Sequence, residues 1–274
     1  MSSSQHTAGS EGRILAGNEG GVATVTISSP SRRNAFTMAM LQDFRRAVEA
    51  QLADPACHVL VLRGAGGFFC AGGDINDFRA MLHLDSLARL HTFRVMIENW
   101  VNPVILALRA AHQPVVAVVQ GACAGYGLSL ALASDCVIAS DDAVLSTAYA
   151  GIALPCDGGQ SLLLTRAIGE RRARELMWSA RRVDAHEART LGLVEQVVPA
   201  AELDAAVQVH VARLAGGPRH ALGEIKRLLA GPAEVLAMQL AAEAQAFARC
   251  AATMDFVEGV TAFAERRPPV FRGR

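Results

Sequence analysis

Residues 21–28 (GVATVTIS) alternate apolar and polar positions with β-branched enrichment, which predicts a half-buried strand. A Ser-Pro-Ser turn follows, and residues 34–50 then carry Met38, Leu41, Phe44 and Val48 at helical spacing. Residues 58–62 (HVLVL) form a short continuous apolar strand that runs into a glycine-rich loop, RGAGGFFCAGGD. Helical spacing resumes over residues 75–111, with a break expected near Asn102-Pro103. Pro114 introduces VVAVV, a third strand, which also ends in glycines (GACAGYG). Residues 128–133 are apolar all round, so that helix is expected to be buried. Residues 136–139 and 195–198 read as further strands, and 161–168 and 171–179 as helices. Such alternation predicts an α/β fold with largely parallel pairing, followed by an all-helical stretch from about residue 201.

Composition narrows the classes. The chain has 274 residues, 51% hydrophobic and 19% charged, enough for one large domain with or without an appendage. Lys+Arg and Asp+Glu both number 26, so no net field attracts nucleic acid. No apolar run approaches the roughly 18 residues of a membrane span. The six cysteines are scattered without a C-x-x-C pair, which argues against a structural metal and for reduced thiols in a cytoplasmic protein. Residues 1–12, MSSSQHTAGSEG, read as a polar leader and not a signal peptide.

The informative pair is the two loops at 64–74 and 121–127, each following a buried strand and leading into a helix. Unpaired amides at a helix start can receive a negative oxygen, and two converging on one point would make an oxyanion hole. Either loop alone also reads as an ordinary tight turn. Gly121 and Gly125 do not fit G-x-G-x-x-G, which argues against a nicotinamide site.

The blocks SPSRRNAF, GFFCAGGDI, QGACAGYGLSLALASD, GIALPCDGG and FVEGVTAFAERRPPVF stand in one order over residues 20–271. In this the chain resembles the enoyl-CoA hydratase/isomerase (crotonase) family, closest to its enoyl-CoA isomerase and phenylacetate-pathway branch. The resemblance implies a crotonase-like spiral of ββα units over residues 13–200. It also implies a helical oligomerisation region at 201–274 that builds a homotrimer or a dimer of trimers. The ligand implied is an acyl-CoA thioester; coenzyme A arrives with the substrate, so no separate cofactor is expected.

By the same resemblance the thioester oxygen would sit between the backbone amides of Ala71 and Tyr126, shaped by Gly72 and Gly125. Ala71, Gly72, Gly73, Asp74 and Ile75 would form the adenine edge. Arg32 and Arg33, beside Ala35, and the pair Arg266 and Arg267 are the implied phosphate contacts. Hydratases of the family use two glutamates, and this chain has Ser129 and Tyr149 there, residues that would line the acyl pocket. Asp157 falls where isomerases carry an aspartate base and where aryl-CoA dehalogenases carry a nucleophile. Asp157 also reads as an N-cap for the helix that follows. Cys156 beside it reads as packing. The activity implied first is an allylic proton shift on an enoyl-CoA. A hydratase with atypical acid–base groups, an aspartate-nucleophile thioester hydrolase or dehalogenase, and a non-catalytic acyl-CoA binder stand as alternatives.

Overall fold

The computed structural model describes residues 12–273; the polar leader, Gly12 aside, lies outside the described residues. The chain runs β1 (Arg13–Glu19), β2 (Val22–Ser28), α1 (Met38–Ala53), β3 (Val59–Gly64), α2 (Ile75–Ala80), α3 (Ser86–Met96) and α4 (Asn102–Ala110). It continues through β4 (Val115–Val119), β5 (Ala122–Ala124), α5 (Tyr126–Ala133), β6 (Cys136–Ser140), β7 (Val144–Ser146), α6 (Gln160–Ile168) and α7 (Glu170–Ser179). Then come β8 (Val183–Asp184), α8 (Ala185–Leu191), β9 (Gln196–Val198), α9 (Leu203–Ala215), α10 (Arg219–Ala230), α11 (Ala233–Ala251) and α12 (Met254–Glu265).

Six strands form one sheet in the order β1-β2-β3-β4-β6-β9, antiparallel at β1–β2 and parallel elsewhere. β5, β7 and β8 make a smaller second sheet. The main sheet is covered on both faces, which is why VVAVV is apolar without alternation. Leu60 and Leu62 of β3 face one core with α1's Met40, Phe44 and Val48. Val59 and Val61 face the other, against Leu203, Val207 and Val211 of α9. The expected helix at 128–133 is α5, whose side chains are almost all buried.

Three features go beyond the sequence pattern. β1 was not legible: RILAGNE is a mostly exposed edge strand without alternation. No break occurs at Asn102-Pro103. The chain passes from α3 through a π turn at Ile97–Val101 straight into α4, where Pro103 sits in the first turn and needs no donor. Finally, the helices after residue 200 share the core of the earlier chain. Leu236, Leu240 and Phe247 of α11 and Phe256 and Val260 of α12 belong to the same hydrophobic core as β2 and α1.

An aromatic hub fastens these late helices to the earlier chain. Phe93 of α3 lies 5.2 Å from Phe78 of α2, 5.5 Å from Phe247 of α11 and 5.4 Å from Phe256 of α12, ring centre to ring centre. Phe247 reaches on to Tyr149 at 6.2 Å. Truncating a buried Phe costs about 3–5 kcal/mol. Phe93→Ala should therefore lower the unfolding free energy in urea by that order, and a midpoint within error of the parent protein would contradict the hub's role.

Candidate active site

Backbone pairing brings the two glycine loops together. Cys70 N–H donates to Ala122 O at 2.9 Å, and Ala124 N–H returns to Cys70 O at 2.9 Å. Buried Asn34 ties the first loop down, its amide nitrogen donating to Ala65 O and Phe68 O. On the other side Phe36 N–H donates to Gly72 O at 2.7 Å, and Asp74 N–H to Phe36 O at 2.9 Å.

This pairing settles which amides are free. Ala71 N–H, expected at the oxyanion position, is taken by Arg33 O at 3.0 Å. Gly73 lies between two residues that pair with Phe36, so in extended backbone its own N–H faces away from Phe36. Among the described residues no acceptor meets Gly73 N–H or Tyr126 N–H, and both residues line the same cavity. Tyr126 opens α5, so its amide is one of the unpaired groups at the positive end of a helix. Gly125 before it has φ +54° and ψ −125°, a conformation reserved to glycine. Of the expected pair, Tyr126 N–H is free and Ala71 N–H is not; the free amide of the first loop is that of Gly73.

Asp157 lies in the turn between a 3₁₀ segment at Tyr149–Ile152 and α6, and is 5% exposed. Tyr149 Oη donates to its Oδ1 at 2.6 Å. Burial raises the carboxyl from its ordinary 3.8 to about 7, the Tyr149 hydrogen bond lowers it, and the nearby Glu243 adds to the rise. The N-cap reading does not hold. The α6 N-cap is Gly159, and the amides of Gly159 and Ser161 donate to the Glu243 carboxylate at 2.7 and 2.8 Å. Asp157 offers that helix only its backbone carbonyl, to Gln160 N–H at 3.4 Å. Its side chain is left to Tyr149 and the cavity.

The other expected residues divide. Tyr149 lines the cavity; Ser129 does not, and is fully buried with Oγ donating to Asp157 O at 2.8 Å. Gly72, Ile75, Gly125 and Arg33 line the cavity, and the Arg33 guanidinium sits over the Phe68 ring at 5.9 Å. Arg32 is tied instead to buried Asp74 at 2.7 Å, and Asp74 also caps α2 through Asn76 N–H. Ala35 is buried outside the lining. Arg266 and Arg267 do not reach the cavity of their own chain, and Arg267 is engaged by Glu258 and Glu265. Cys156 is buried, with its thiol pushed up by that burial, in keeping with a packing role.

The cavity encloses about 700 Å³. One wall is apolar: Phe36, Phe78, Met81, Met96, Val101, Ile152 and Phe263. Arg182 adds a second cation. The sequence does not place Phe263 or Arg182 at the site, because α12 and the β8 edge reach it only through tertiary packing. Tyr126 Oη is buried with no partner, and burial pushes its phenol well above the usual range. Among the described residues no three His, Cys, Asp or Glu side chains are grouped to hold a metal ion, and no helix is long and apolar enough to cross a membrane.

Comparison with known proteins agrees with this architecture. Residues 17–274 match the family model described as enoyl-CoA hydratase/isomerase. A "Probable enoyl-CoA hydratase" of Rhodobacter capsulatus is 35% identical over 93% of this chain and 95% of its own. The 1,2-epoxyphenylacetyl-CoA isomerase of Escherichia coli is 32% identical over 95% and 98%. The crystal structure of an enoyl-CoA hydratase from Mycobacterium avium subsp. paratuberculosis superposes with a TM-score of 0.84 at 35% identity, covering 94% of this chain and 98% of that one. The fold is the crotonase α/β spiral with a helical C-terminal region, and the chain belongs to the enoyl-CoA hydratase/isomerase family.

Proposed function

We propose that this acyl-CoA enzyme shifts the double bond of an enoyl-CoA, with Asp157 as the single base and the Gly73 and Tyr126 amides holding the enolate oxygen. The observation that carries the reading is a buried carboxyl on the cavity wall, poised near pH 7 and hydrogen-bonded only to a phenol. Asp157 takes a proton from C2 of a 3-enoyl thioester, leaving a dienolate whose oxygen lies between the two amides. The protonated carboxyl then returns the proton to C4. One base serves both steps because its acidity lies close to the operating pH. Among the lining residues the other carboxylate is Asp77, which accepts Met38 N–H at 3.0 Å and belongs to α2. That tie to the backbone of α1 supports a reading with Asp157 as the single base.

The ligand's cationic contacts fall to Arg33 and Arg182 in this reading. The aromatic and methionine wall suits a bulky, ring-bearing acyl group, since methionine side chains adapt to irregular shapes; a relative named as an isomerase of a ring-bearing CoA thioester supports this. For assembly, α10 buries Lys226 against Asp135 at 2.7 Å while turning Ile225, Leu228 and Leu229 to the surface. This inverted amphipathicity supports self-association through further copies, as a trimer or a dimer of trimers.

Wild-type protein should convert a 3-enoyl-CoA to the conjugated 2-enoyl thioester, followed by ultraviolet absorbance. Asp157→Asn should be slower by about 10²–10⁴-fold, the usual contribution of a general base. Full activity in the variant, or hydration of 2-enoyl-CoA in place of isomerisation, would contradict the reading. The base must start ionised, so kcat/KM should rise with pH through about 7 and level off above it. Tyr149→Phe removes the hydrogen bond that lowers Asp157, so the acid limb should move to higher pH; a limb that stays put or moves down would be inconsistent with that pairing.

A further inference from the structure

Asp157 is followed by two glycines, Gly158 (φ +66°) and Gly159 (φ +78°), both left-handed. A turn of this kind has no side chains of its own to hold it, and Gly159 leaves the start of α6 without a side-chain cap. The missing acceptor comes from α11. Glu243, 4% exposed, accepts Gly159 N–H at one carboxylate oxygen, and Ser161 N–H and Ser161 Oγ–H at the other. Gln239, one turn earlier on α11, donates to Ser161 Oγ at 2.8 Å. Ser129 and Gln160 complete the frame, Ser129 Oγ on Asp157 O and Gln160 Nε2 on Gly125 O at 3.2 Å, so the frame also touches the residue before Tyr126.

We propose that Glu243 is a positioning residue for the reaction, clamping the Gly158–Gly159 turn from α11 so that the Asp157 carboxyl stays against Tyr149 and the cavity. The proposal rests on the assignment of Asp157 as base. Glu243 is not among the residues that line the cavity and acts through the backbone it holds. Its charge is also placed to matter. The titratable groups facing the pair are Tyr149 from the 3₁₀ segment, Tyr126 from α5 and Cys156 from the turn. The cations of the elements packed on α11 are engaged away from Glu243. Arg89 of α3 donates to Ala251 O, Arg166 of α6 to Ala230 O, and Arg109 of α4 pairs with Asp135. On α12, Glu258 and Glu265 pair with Arg267, and Asp255 accepts Arg272 N–H. Burial raises the Glu243 carboxyl and the Ser161 and Gly159 hydrogen bonds lower it, and when ionised it adds to the rise of Asp157 behind burial.

The experiment compares wild type, Glu243→Gln and Asp157→Asn in the 3-enoyl-CoA assay across pH, with thermal melts. Glu243→Gln places an amide against a donor and removes the like charge. Its kcat should fall about 10- to 100-fold at roughly unchanged KM, as expected when a reacting group is misplaced by an ångström or less. Its acid limb should move to lower pH, since the neighbouring negative charge is gone. Reduced melting temperature with wild-type kcat and an unmoved limb would mean a purely structural role and overturn the proposal. Wild-type turnover in Asp157→Asn would instead sink the base assignment, and this inference with it. If Glu243→Gln does not fold, Ser161→Ala decides the matter by removing one donor from the clamp. A severalfold loss of kcat at unchanged KM supports the proposal, and unchanged kcat overturns it.

Discussion

A carboxyl group held out of water beside a phenol is the interaction around which this molecule is arranged. Left alone in an apolar setting, the ionised form of Asp157 would be too costly, and in water it would be too weak a base to exchange protons at carbon near neutrality. The 2.6 Å bond from Tyr149 moderates the burial and brings the group to about 7. Everything that keeps this pair dry and aligned lies far away in sequence: Ser129 from α5, Phe247 and Glu243 from α11, and Phe93 behind them.

The same logic explains why the late helices are part of the core. α11 satisfies the unpaired amides at the start of α6, and its Phe247 backs the Tyr149 ring. α12 brings Phe263 to the cavity. A turn with two left-handed glycines requires support from a rigid element, and here the support is a helix more than eighty residues further along the chain.

Much of the scaffold was legible in the sequence because buried parallel strands and an all-apolar helix announce themselves by composition, as VVAVV and residues 128–133 do. β1 was hidden because an exposed edge strand needs no pattern, and the π turn before Pro103 because helical spacing tolerates one extra residue. The two loops are legible in the sequence, but not which amide of the first is free, since Ala71 N–H is engaged by Arg33 O. Which N–H is free depends on Arg33 and Phe36, whose carbonyls and amides take Ala71 and its neighbours only once the chain has folded. For Asp157, local grammar could not separate base from cap, since the group that does the capping, Glu243, is remote. The resemblance implies phosphate contacts at Arg32, Arg266 and Arg267, and within a single chain Arg32 and Arg267 are engaged in ion pairs.

The step proposed for this site is formation of a thioester enolate with Asp157 carrying the proton. The most direct test is hydrogen exchange at C2 of a saturated acyl-CoA in D₂O, followed by NMR with wild type and Asp157→Asn, because it requires neither the natural acyl group nor turnover. The account predicts C2 exchange well above the solution rate in the wild type and its loss in the variant. Background exchange in the wild type, or equal exchange in both proteins, would contradict it.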